Sequence, residues 1–285
     1  MNILSNAKRS VCIALIGIKS WLSNKRMLML LLILAAVIAD FCVEINSFAG
    51  SLGTPTNIFA ILPQMYHAHF IRMNIQLGIV LMFSDAPFHR EDSLNCVTRC
   101  GYRSWCVGQI IYIILSSAAY VGVIFLLTVI FSVPVLGFSA DWGRTFTALA
   151  RRTARGYTVS ASIQEQFSAL EAFLNTMALI FILSMIIGLL IFLLSSTVGK
   201  GSGVIAAAAV ILLGAYPDYT QYVGYVIKIS PCSLTELGRL RGTMGLPDIT
   251  YAFTFLGITA AILAAADIFI YSNRKIRHYA YNTDI

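Results

Sequence analysis

Met27–Ile45 reads MLMLLLILAAVIADFCVEI, and Lys25-Arg26 stands just before it. A helix needs about 20 apolar residues to cross roughly 30 Å of hydrocarbon, and this run is long enough. Val107–Val133, Phe173–Leu194 and Tyr251–Tyr271 meet the same length. Ile58–Phe83 is different. Its end, Ile75–Phe83, is apolar, but its first half carries Gln64, His67, His69, Arg72 and Asn74. Those side chains cannot all face lipid, so this helix lines a polar interior or starts near an interface. Val204–Tyr216 is short and reaches span length only by running past Pro217 and Asp218 into Tyr219–Ile227. A kinked or half-depth helix is expected there, tolerated where other helices cover the freed backbone groups.

Composition agrees with these runs. The chain has 285 residues, 58% apolar and 12% charged, too little charge to solvate an ordinary soluble domain. High hydropathy also excludes disorder. The expected fold is all-α: a polytopic membrane helix bundle of about six transmembrane helices with an N-terminal amphipathic interface helix. The net charge of +7 falls mainly between the apolar runs, which reads as orientation in a bilayer and not as nucleic-acid binding. With both termini inside, the inner segments hold the larger share of cations: Lys8, Arg9, Lys19, Lys25 and Arg26 before the first span, Arg90, Arg99 and Arg103 after the second. The cluster Arg151, Arg152 and Arg155 opposes this count from a long outer loop. Val11, Leu15, Ile18 and Leu22 recur at helical spacing while Lys8 and Lys19 share another face, as in a helix lying on the membrane surface. A short apolar run with no small-residue cleavage site after it does not read as a cleaved leader. The domains are therefore an interfacial segment 1–26, a six-span region 27–272 and a cytoplasmic tail 273–285.

Motifs for chemistry are missing. Gly199-Lys200-Gly201-Ser202 lacks the upstream glycine of a phosphate loop, and neither HExxH nor GxSxG occurs. The chain is thus expected to bind no nucleotide, metal or cofactor and to be no enzyme. His67 and His69, two apart on a helix, point to different faces and suit an interface or internal cavity better than a shared metal. Cys96, Cys100 and Cys106 read as reduced thiols, and a Cys42–Cys232 bridge on the outer side is an open possibility. Asp40 and Glu44 share a face near the outer end of span one, and Asp267 lies near the inner end of the last span. These acids contact a cation or substrate, or sit at interfacial depth beside a partner such as Arg274. Ser162-Ile-Gln-Glu165 has the capping-box pattern that starts a helix into span four.

The inner loop Ser84–Trp105, SDAPFHREDSLNCVTRCGYRSW, is the segment richest in both charge signs. Asp85 and Pro87 make a turn, Asp92 or Ser93 can cap a short helix, and Arg99 and Arg103 are one turn apart. Trp105 returns the chain to the interface. Such a helix is a docking knob for a partner, or an ordinary solvated loop.

Phe83-Ser-Asp-Ala-Pro-Phe88, the Arg-rich loop through Arg103-Ser-Trp105 into Gly108-Gln-Ile-Ile-Tyr112, and the late outer Ile229-Ser-Pro-Cys-Ser233 complete an order of features that resembles the permease subunits of bacterial type-2 ABC exporters. The resemblance implies a separate cytosolic ABC ATPase subunit that binds ATP and Mg²⁺, a second permease copy or a sister permease, and residence in the bacterial inner membrane. It maps a coupling helix onto Asp85, Pro87, Arg99, Arg103 and Trp105. Asp40, Glu44, His67, Arg72, Asn74 and Asp267 are the candidate pathway-lining residues. Two other readings stand beside it: a membrane-embedded enzyme using Asp40, Glu44 and the two histidines, and a non-catalytic sensor or scaffold with Arg151–Arg155 as its outer surface.

Overall fold

Four helices carry the architecture: α1 (Lys25–Leu52), α4 (Tyr102–Ser132), α7 (Ala169–Thr197) and α10 (Ile249–Asn273), each long and apolar enough to cross a membrane. The computed structural model describes residues 10–15, 17–18, 21, 24–86, 102–133, 136–150, 159–199, 201–220, 224–242 and 245–273. Pro87, Arg99, the cluster Arg151–Arg155, Arg274 and the tail lie outside the described residues.

Asn24 starts α1 by accepting from the Arg26 backbone N–H, and Gly53, at φ 62°, ends it in the left-handed region that glycine tolerates. Its buried residues Leu30, Leu34, Ile38, Cys42, Ile45 and Ala49 form one stripe at helical spacing. The other side stays apolar yet exposed at Leu28, Leu32 and Val43. An apolar outer face of that extent is matched to lipid. The least covered helix, α10, does the same with Ile258, Ile262 and Phe269. The central helix is α7, which packs against α2, α3, α4, α8 and α10 and is buried on nearly every side.

The second apolar segment is not one helix. It divides at Ala68 into α2 (Ile58–His67) and α3 (His69–Phe83), because Ala68 takes extended angles, φ −64° and ψ 119°. The short apolar segment is α8 (Ser202–Ala215), which closes in a 3-10 turn at Tyr216–Asp218. At 1.5 Å per residue its 14 residues rise only about 21 Å, less than a bilayer core. The chain then returns through α9 (Gly224–Ile229) and 3-10 turns at Ser233–Thr235 and Leu237–Arg239. This return segment sits on the end of α8: a Cβ on Gly214 would drive into Cys232, so only glycine permits the approach. A parallel pair of two-residue strands, β1 (Thr56–Asn57) and β2 (Leu136–Gly137), joins the loops at the other end of α2, where Asn57 donates to the Ser139 carbonyl at 2.8 Å. Two short helices complete that end, α5 (Gly143–Ala150) and α6 (Ala161–Gln166).

Two expectations are corrected. Ser162 does not start span four. It lies inside α6; the chain breaks at Phe167, and a complete capping box forms instead between Ser168 and Glu171, at the start of α7. Cys42 and Cys232 are both free thiols, buried in separate places. Residues 10–15 are helical and dock on the start of α4, with Ser10 donating to the Ser104 carbonyl at 2.9 Å, while Val11 and Leu15 stay exposed.

Candidate functional site

The break at Ala68 takes the His67 carbonyl out of the helical ladder. The Arg72 guanidinium, one turn along α3, donates to that carbonyl at 3.0 Å. This draws Arg72 inward, and its side chain is only 4% exposed. A charge so deep requires partners. The return segment supplies them: Arg72 reaches Asp218 Oδ2 at 2.7 Å with one terminal nitrogen and Glu236 Oε2 at 2.7 Å with the other.

Both carboxylates are held by further groups. His69 Nδ1 meets Asp218 at 2.6 Å, and His67 Nδ1 meets Glu236 Oε1 at 2.9 Å. Arg239 contacts both, through Nε to Glu236 at 2.7 Å and through a terminal nitrogen to Asp218. Tyr219 closes the outer side, its hydroxyl 2.9 Å from His69 Nε2 and its ring edge-on to the imidazole. Beneath the charges, Tyr66 shares a hydrogen bond with Thr235 at 2.9 Å, and Gln76 donates to the Tyr66 oxygen and to the Cys232 carbonyl. Ser233 donates to the Gly214 carbonyl at the open end of α8, which would otherwise lack an intrahelical partner.

The charges are sorted by element. The α2–α3 bend contributes the basic groups His67, His69 and Arg72. The return segment and the α8 turn contribute both acids, with Arg239 beside them.

The sequence-derived candidates are placed as follows. Arg72 and His67 belong to this cluster. Asn74 does not: on the outer side of α3 it donates to the Phe70 carbonyl at 2.8 Å. Asp40 is exposed and Glu44 half-buried on α1, away from the cluster. Asp267 is fully buried in α10, and neither carboxylate oxygen has a hydrogen-bond partner among the described residues. Asp85 pairs with Arg26 and accepts from Asn24, which ties the turn after α3 to the start of α1. Arg103 is exposed at the start of α4. Trp105 is buried, packed against Phe192 and Tyr271, and does not face an interface. Asp218, Tyr219, Glu236 and Arg239 were not singled out in the sequence. The one signal for them is that two of only 13 Asp and Glu, Asp218 and Glu236, follow the short apolar run 204–216 that Pro217 ends. The two histidines turn to different carboxylates, and no group of three or more His, Cys, Asp or Glu able to hold a metal occurs among the described residues.

Comparison with known proteins adds no relative: no family model, no curated protein and no solved structure matches the chain. Fold and site therefore define a class only, a helical membrane protein with a charge cluster buried inside its bundle.

Proposed function

We infer that the chain is the membrane-spanning permease subunit of an ATP-driven exporter, with six spans and both termini on the cytoplasmic side of a bacterial inner membrane. The bent pair α2–α3 serves as the second span and the half-depth α8 as the fifth. Irregular backbone is tolerated at membrane depth where protein covers it, and the return segment after α8 is covered in this way by α2 and α3. ATP and Mg²⁺ belong to a separate ABC ATPase subunit, and a second permease, identical or sister, completes the pathway. This chain performs no hydrolysis itself.

The observation that carries the reading is the clamp at the inner end of the bundle. Asp85, just after α3, pairs with Arg26, and Arg26 also donates to Ser84 at 2.9 Å. A push on the following loop, where Pro87 and Arg99 lie, therefore reaches α1 and α3 together. That is the mechanical link a two-state transporter needs between an external engine and its helices.

The test is co-purification of the chain with a soluble P-loop ATPase encoded beside it. The expected result is a stable complex that is lost when residues 90–103 are deleted. ATPase association that survives the deletion, or turnover by the purified chain alone, would overturn the reading.

A further inference from the structure

The exposed edge of the charge cluster holds a hydroxyl, an imidazole and a carboxylate in line. We propose that Tyr219 is a nucleophile, activated by His69 and Asp218, that takes the acyl group of a membrane-borne ester onto its own oxygen. This goes beyond the exporter reading and does not depend on it.

Asp218 Oδ2 lies 2.6 Å from His69 Nδ1, and a carboxylate only accepts. In the neutral ring the proton therefore stands on Nδ1, and Nε2 keeps its lone pair. That lone pair meets the Tyr219 hydroxyl at 2.9 Å. A carboxylate on one imidazole nitrogen and a hydroxyl on the other is the arrangement by which a base activates an oxygen nucleophile, whatever fold carries it. The parts are held in place. The break at Ala68 makes His69 the first residue of α3. Arg72 shares Asp218 Oδ2 at 2.7 Å and Arg239 takes the other oxygen, so the carboxylate cannot turn from the ring. The Tyr219 ring stands edge-on to the imidazole, with centroids 5.2 Å apart. An interfacial tyrosine needs no such partner. Tyr225, on α9, is 83% exposed and meets no imidazole among the described residues, whereas Tyr219 is 75% exposed and does.

The chemistry closes without another reactant. The Tyr219 oxygen attacks the ester carbonyl carbon while His69 Nε2 takes the phenolic proton, and Asp218 offsets the imidazolium charge. The bond from the carbonyl carbon to the leaving oxygen then breaks, and the imidazolium returns the proton to that oxygen. The products are O-acylated Tyr219 and the free alcohol. The chain accepts one acyl group and does not turn over. A neutral ester suits the site better than a phosphate, because the guanidiniums of Arg72 and Arg239 are already engaged by Asp218 and Glu236. The 14 residues of α8 rise about 21 Å, most of a core of roughly 30 Å, before the turn that leads to Tyr219. The hydroxyl thus stands toward the far boundary of the hydrocarbon, near the ester groups of that leaflet. Phe70, next to His69, and Leu212 and Leu213 on α8 are exposed and offer an apolar surface to the donor chain.

The experiment treats the full chain in lipid nanodiscs with p-nitrophenyl decanoate and reads decanoylated tyrosines by peptide mass over time. Tyr219 is expected to react about 100-fold faster than Tyr225, the lower range for a positioned general base. His69→Gln is expected to bring Tyr219 down to the Tyr225 rate, and Tyr219→Phe to leave Tyr225 unchanged. Equal rates at the two tyrosines, or a Tyr219 advantage that survives His69→Gln, overturns the proposal. Acylation by p-nitrophenyl acetate with none by the decanoate overturns the membrane-borne source. The comparison of Tyr219 with Tyr225 on the unmodified chain decides the matter even if His69→Gln fails to fold.

Discussion

Arg72 is the residue on which the buried cluster turns. Its guanidinium meets a carbonyl freed by the helix break and two carboxylates, all within hydrogen-bonding distance. Removing Glu236 strips the buried Arg72 and Arg239 of one of their two acids and leaves them sharing Asp218, the costly way to break a buried pair. Glu236→Ala is expected to destabilise the protein by about 3–5 kcal/mol, read as a lower unfolding midpoint in detergent. A change near zero would mean that water already reaches the site.

Among the elements, the start of α7 shows how a local motif is decided by packing. Ser162…Glu165 and Ser168…Glu171 have the same spacing, and each is a fair capping box by sequence. The chain breaks between them at Phe167, with φ −130° and ψ 147°, where the Trp142 indole donates to the Phe167 carbonyl at 2.8 Å. That bond from a distant loop holds the carbonyl out of the helix, so the second box becomes the cap. Ser168→Ala is expected to cost about 1 kcal/mol and to speed hydrogen exchange in the first turn of α7, while Ser162→Ala leaves that turn unchanged. The reverse result would place the start of the span at Ala161. The bend at Ala68 is of the same kind. Alanine is a strong helix former, and no local signal ends α2 there. Arg72 on the His67 carbonyl and the acids beyond it stabilise the broken form.

For the whole molecule, exposed apolar faces on α1, α8 and α10 require lipid around them, and orientation is the open variable. In a chain with its native cysteines replaced by serine, Ala140→Cys is expected to react with a membrane-impermeant maleimide on intact cells, and Arg103→Cys only after lysis. Both positions are exposed, so burial does not confuse the outcome. Labelling of residue 103 from outside would invert the topology and remove the inner clamp from its proposed role. The four long helices and the half-length α8 were legible in one dimension. Each follows from the number of consecutive apolar residues set against the thickness of a bilayer, and neither quantity depends on what the helix touches. The polar first half of the second segment was legible as a problem, since Arg72 and His67 could not face lipid. Its solution was not. Asp218 lies 146 residues beyond Arg72, with Glu236 and Arg239 further still, and only the fold of α8 and its return segment brings them to the bend. A buried charge is specified by whichever partner reaches it, and reach across a bundle is a property of tertiary packing that no local pattern encodes.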